Sequence, residues 1–171
     1  MKRIRLALAL LTGMAAPAFA DYIGDQIDGC AAPLSPSTRA AVIAACSNVI
    51  QMGELPATVQ SPALVARGNA YALGADFAHA ISDFSAAIDS DPLSAAPLAA
   101  RGLTLMKQRK FPDAADDFAA AVKLDGHNAM ALYGRGLSAR KLGQDGAADM
   151  AAATALDPRI AAFYADNGLE P

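Results

Sequence analysis

Histidine and cysteine are scarce, two of each in 171 residues, and neither pair is spaced as a zinc site requires. There is no glycine-rich phosphate loop and no serine in a nucleophile-elbow setting. His79 and His127 have no partner in sequence and read as solvated side chains. Asp113, Asp116 and Asp117 look at first sight like a paired-carboxylate site, but on a helix they spread over an exposed face. No enzyme activity, metal or cofactor is therefore expected. Basic residues are outnumbered, 14 Lys and Arg against 17 Asp and Glu, which makes nucleic acid and anionic lipid poor partners.

A second long apolar run is also missing. The first one lies at the start, where Lys2, Arg3 and Arg5 precede the apolar stretch Leu6 to Ala16, Pro17 breaks it, and Ala18-Phe19-Ala20 has the small-x-small pattern of a cleavage site. That is the layout of a secretory signal peptide, residues 1–20, cut after Ala20. The alternative, an uncleaved anchor, needs ~20 apolar residues to span a bilayer. Cleavage removes three basic residues and no acidic one, so 11 basic against 17 acidic residues leave a net charge of −6. The expected location is the bacterial periplasm or the exterior, without stable membrane insertion.

In such an oxidising compartment, Cys30 and Cys46 are expected to form a disulfide. A helix starting near Pro36 places Cys46 ~15 Å along it. The six residues from Cys30 to Pro36 reach ~20 Å when extended. A redox-active pair is the sharper alternative, although the spacing is not C-x-x-C.

What the chain does have is a repeat. Ala66-Arg67-Gly68, Ala100-Arg101-Gly102 and Gly134-Arg135-Gly136 recur every 34 residues. Behind them follow Asp83-Phe84, Asp117-Phe118 and Asp149-Met150, then Asp91-Pro92, Asp125-Gly126 and Asp157-Pro158. The third copy ends two residues early, with the deletion placed around Gly143 to Gly146. A fixed period of this size signals a solenoid of supersecondary units. Leu64, Gly68 and Tyr71 share one helical face, and Ala80, Phe84 and Ala87 share another. Gly68 and Ala80 let two antiparallel helices approach, and Tyr71 and Phe84 fill the hairpin core. Gly102, Ala114, Phe118, Gly136 and Met150 repeat those roles.

Helices are expected at 62–73, 77–89, 95–108, 112–124, 129–142 and 146–156. Ser61 and Pro62 would open the first, Gly74 would close it in a left-handed conformation, and Asn128 would cap the fifth. Arg67 and Asp83, Arg101 and Asp117, and Arg135 and Asp149 are expected to form structural ion pairs that repeat with the solenoid.

The pattern resembles the tetratricopeptide repeat family over about Ser61 to Pro158. Glycines 68, 102 and 136, the aromatics Phe84 and Phe118, and prolines 92 and 158 match that family's motif. Leu64, Leu98 and Leu132 stand where the family often has tryptophan; Met150 and Gly126 are departures. The resemblance implies an all-α, right-handed superhelical solenoid of three hairpins, residues 61–94, 95–128 and 129–158. An N-terminal arm (Asp21 to Pro33, without clear period) and a capping helix from Ser37 to Met52 fill 21–60, and a capping helix and tail fill 159–171.

It also implies a concave groove offering Asn69, Ala72 and Leu73 from the first repeat, Leu103, Met106 and Lys107 from the second, and Tyr133, Leu137, Arg140 and Lys141 from the third. Such a groove suits a peptide or helix of acidic character from another envelope or secreted protein. Some of these side chains instead pack between neighbours, and a structural subunit stacked end to end is the rival reading. Some relatives clamp a terminal carboxylate with asparagine and lysine at set positions. Here Asn69 matches one such position, but Leu103 and Leu137 replace it in the later copies.

Overall fold

The computed structural model describes residues 16–53 and 55–170. Among them run nine helices: α1 (Ala16–Cys30), α2 (Arg39–Gln51), α3 (Ala57–Leu73), α4 (Phe77–Ser90), α5 (Ala95–Lys107), α6 (Phe111–Leu124), α7 (Ala129–Lys141), α8 (Ala147–Leu156) and α9 (Ile160–Asp166). Successive helices pack into a solenoid. Residues 1–15, most of the expected signal peptide, lie outside the described residues, and α1 runs unbroken past the expected cut after Ala20. Among the described residues no helix is long and apolar enough to cross a membrane.

The 34-residue period is written into the turns. The N–H of Asp76 donates to the carbonyl of Tyr71, Lys110 to Leu105 and Gln144 to Ala139, each at about 3 Å. Just before each donor sits a left-handed residue: Ala75 (φ 59), Arg109 (φ 61) and Gly143 (φ 76). This is the cap that closes a helix by satisfying its last carbonyls. Gly74, expected to take the left-handed role, has φ −86, and Ala75 carries it instead. Between hairpins, the carboxylates of Asp91, Asp125 and Asp157 each accept the N–H two residues ahead. A short polar side chain that turns the chain in this way explains why aspartate recurs there.

Inside each hairpin a phenylalanine lies against a glycine. A Cβ on Gly68 would come within 2.6 Å of the Phe84 ring, and one on Gly102 within 3.0 Å of Phe118. Both rings are fully buried, as are Ala80 and Ala114. Gly68 therefore makes room for Phe84 rather than for Ala80, and Tyr71 sits at the margin, stacked on His79. The third hairpin substitutes a glycine pair. A Cβ on Gly146 would land on the backbone of Gly136, and Met150 lies against Gly136. That close approach accompanies an α8 of 10 residues, where α4 and α6 have 14.

Residues 21–33, expected as an arm, are instead helical as far as Cys30, and α1 pairs antiparallel with α2. Gln26 accepts a hydrogen bond from Asn48 (2.7 Å), Gly29 lies against Ala45, and Cys30 and Cys46 form a disulfide. The sequence separation of the cysteines is 16, the same as that of Gly68 from Phe84 and of Gly102 from Phe118. The disulfide thus stands where the α3–α4 and α5–α6 hairpins pack phenylalanine on glycine, and α1–α2 is a further, altered hairpin. Position equivalence also extends to the other end. Leu64, Leu98 and Leu132 are followed by Tyr164, and Gly68, Gly102 and Gly136 by Gly168. The closing helix α9 is therefore a shortened first helix of another repeat. Tyr164 is fully buried and donates its hydroxyl to the Met130 carbonyl at 2.7 Å, and burial holds its phenol well above the ordinary tyrosine range.

Helix α3 begins at Ala57, five residues before the expected start, with Pro56 at the cap position and Pro62 inside the helix. Ser61 is not a cap. It is buried and donates to the Ala87 carbonyl on α4 (3.3 Å).

Each repeat arginine forms a two-pronged pair with its aspartate at 2.6–2.8 Å: Arg67 with Asp83, Arg101 with Asp117, and Arg135 with Asp149. The hydrogen bond to the carboxylate, ahead of simple charge attraction, raises each guanidinium above its ordinary value. Asp117 is thus buried, unlike its exposed neighbours Asp113 and Asp116. Two of the arginines also reach back to the preceding unit, Arg67 to Ser47 (3.0 Å) and Arg101 to Ser85 (2.9 Å). Ala119 stands 34 residues after Ser85, so the third pair has no such hydroxyl and is the most exposed of the three.

Closing the Cys30–Cys46 loop contributes roughly 3 kcal/mol in the chain-entropy model. Reduction with dithiothreitol is expected to lower the denaturation midpoint accordingly, and unchanged midpoints with and without reductant would contradict it.

Candidate functional site

One hollow gathers the charged ends of several hairpins. Its volume is about 670 Å³, and it lies along the turns that join the two helices of each hairpin, closed on one side by residues 167–170 behind α9. Its walls come from equivalent positions of successive repeats. Leu73, Lys107 and Lys141 are 34 residues apart, as are Ala75 and Arg109, Phe77 and Phe111, and Ala72 and Met106. The first hairpin supplies apolar members of these rows, while the second and third add three cations. Ala75 and Arg109 are the two non-glycine residues with positive φ among those described, a conformation that costs ~1–2 kcal/mol for an L-residue. Both sit at the hollow.

Lys107 is half-buried, and desolvation lowers its ammonium from the ordinary lysine value. Among the described residues no carboxylate side chain forms an ion pair with Lys107, Arg109 or Lys141. Lys107 is thus a partly desolvated cation with the exposed Arg109 and Lys141 on the same wall, and a cation without a counter-charge is ready to accept an anion.

Several residues expected in the groove are elsewhere. Leu73, Lys107 and Lys141 line the hollow, and Met106 forms part of its wall although it is only 1% exposed. Tyr133 and Leu137 are buried and not open to a ligand. Tyr133 is covered by α9, whose Tyr164 packs on it with ring centroids 4.9 Å apart, and Leu137 belongs to the main core. Leu103 is partly buried against the core, whereas Asn69 and Arg140 are exposed but outside the hollow. Ala75, Phe77, Arg109, Phe111 and the tail were not expected there. The 34-residue spacing of Phe77 and Phe111 was the available signal. His79, for which the sequence offered no partner, is exposed and lies 2.8 Å from Asp76, which also caps α4. A smaller, apolar hollow of about 220 Å³ lies beside the disulfide, lined by Ile27, Cys30, Val49, Val59, Pro62 and Ala63 among others.

Among solved structures, the chain is similar to YrrB, described as a TPR protein with an unusual peptide-binding site. The TM-score is 0.58 at 17% identity, over 88% of this chain and 75% of that one. This is a tetratricopeptide-type fold. No family model matches the sequence, and a search of curated proteins found no match. Within the tetratricopeptide-type fold, hairpins stack so that equivalent positions form rows, and the hollow is built from four such rows.

Proposed function

We propose that this chain is a non-catalytic interaction module, an adaptor or scaffold of the cell envelope, that holds a peptide segment of another exported protein in the hollow. The observation that carries this reading is the graded wall. Leu73, Phe77 and Phe111 provide apolar surface, and Lys107, Arg109 and Lys141 provide unpaired positive charge, on a chain whose net charge is −3. An acidic segment bearing one or two apolar side chains is complementary to that arrangement. Export is supported by the buried disulfide and by the signal-like start of the sequence. A peptide site in a protein of similar fold supports the choice of ligand class.

The test uses a fluorescein-labelled peptide of two leucines, an alanine and two glutamates. Its affinity is compared between the parent and a variant carrying Lys107→Ala, Arg109→Gly and Lys141→Ala, with circular dichroism to verify folding. Loss of three charge contacts, two of them at exposed side chains, is expected to change the affinity about tenfold. Equal binding by both chains would remove the hollow as the site.

A further inference from the structure

Behind α9 the chain does not leave the surface. Gly168 adopts φ 74, the N–H of Leu169 donates to the Tyr164 carbonyl at 3.0 Å, and the Leu169 side chain is buried in the main core. This is the same turn that closes α3, α5 and α7, used here to reverse the tail. Anchoring Leu169 delivers the next residue, Glu170, to the hollow that Lys107, Arg109 and Lys141 line. Glu170 itself remains exposed. Glu170 therefore shares the hollow with three cations without forming an ion pair to any of them, and its exposed side chain is free to move toward or away from them.

We infer that the C-terminal tail is a resident competitor at this site: Glu170 partly neutralises the cationic end of the hollow, and an incoming acidic segment has to displace its carboxylate. The inference rests on the reading of the hollow given under the proposed function. It adds a regulatory element that the groove positions alone do not contain. The anchor and the competitor are separate residues, because Leu169 holds the tail and Glu170 supplies the charge. Displacement thus requires only that one exposed side chain swing away, with α9 left in place.

The experiment measures the same labelled peptide against the full chain, Glu170→Gln and Lys107→Ala/Lys141→Ala, at low and at high salt. Glu170→Gln keeps the size and polarity of the side chain and leaves Leu169 untouched, so thermal stability should be unchanged. Removing one opposing charge at an exposed site is expected to tighten binding about threefold at low salt, and screening should erase the gain at high salt. Affinity of Glu170→Gln equal to or weaker than the parent, with the lysine variant still losing affinity, would overturn the competitor and leave the site standing. Undiminished binding by the lysine variant, or no binding by any chain, would overturn both.

Discussion

Replacing Phe118 with alanine is expected to destabilise the protein by about 3–5 kcal/mol, the range for removing a buried aromatic side chain from a core that cannot collapse. The ring is fully buried and lies between two glycines, Gly102 of its own hairpin and Gly134 of the next. Glycine has no side chain to move into the vacated space, and both sit in helices whose backbones are held by their own hydrogen bonds. The cavity would therefore persist. Because the same ring touches α5 and α7, its loss also weakens the stacking of the second hairpin on the third. In a solenoid that interface is a large part of what keeps end units folded. Urea unfolding followed by circular dichroism measures the cost. A shift corresponding to less than about 1 kcal/mol would mean that the hairpins close up around the gap.

The second large effect is expected at Gly146. Alanine there places a methyl group on the backbone of Gly136, which cannot rotate aside as a side chain would. The helices α7 and α8 would have to separate, at a cost of about 3 kcal/mol, the upper end of ordinary overpacking. The damage should be local. Within α8 only Ala153 is buried, so the last hairpin is expected to lose protection from amide exchange before the others. Gly126→Ala is the control. Its nearest heavy atom outside the adjoining residues is 3.9 Å away, and a change within about 0.5 kcal/mol is expected. Similar midpoints for the two variants would show that the close approach of Gly136 and Gly146 is not a constraint.

The repeat was legible because its punctuation is made of residue types with few substitutes. Aspartate that bonds its own turn, glycine that admits a phenylalanine ring, and the arginine–aspartate pair all recur at fixed spacing. The α1–α2 hairpin escaped notice because every one of those signals is replaced. Cysteines stand for glycine and phenylalanine, Gly29 and Ala45 stand for the ion pair, and the interval from Cys30 to Gly68 is 38 residues instead of 34. The start of α3 was misplaced because proline usually marks a first turn, whereas the backbone here accepts Pro62 inside the helix.

At the site, the resemblance to the tetratricopeptide family supplied Leu73, Lys107 and Lys141, which stand as one row. It missed Arg109 and the tail, since neither a left-handed backbone at a non-glycine residue nor a chain reversal at Gly168 is visible in side-chain periodicity. The burial of Tyr133 depends on where α9 lies, and that of Leu137 on how the core packs, both matters of tertiary packing.

The central claim, that the hollow holds an acidic peptide segment, is tested most directly by titrating isotopically labelled protein with the leucine–glutamate peptide and mapping the amide shift changes. Changes concentrated at Leu73, Phe77, Lys107, Arg109, Phe111 and Lys141 are the expected result. Changes confined to the α1–α2 hairpin and its apolar hollow, or scattered without focus, would contradict it.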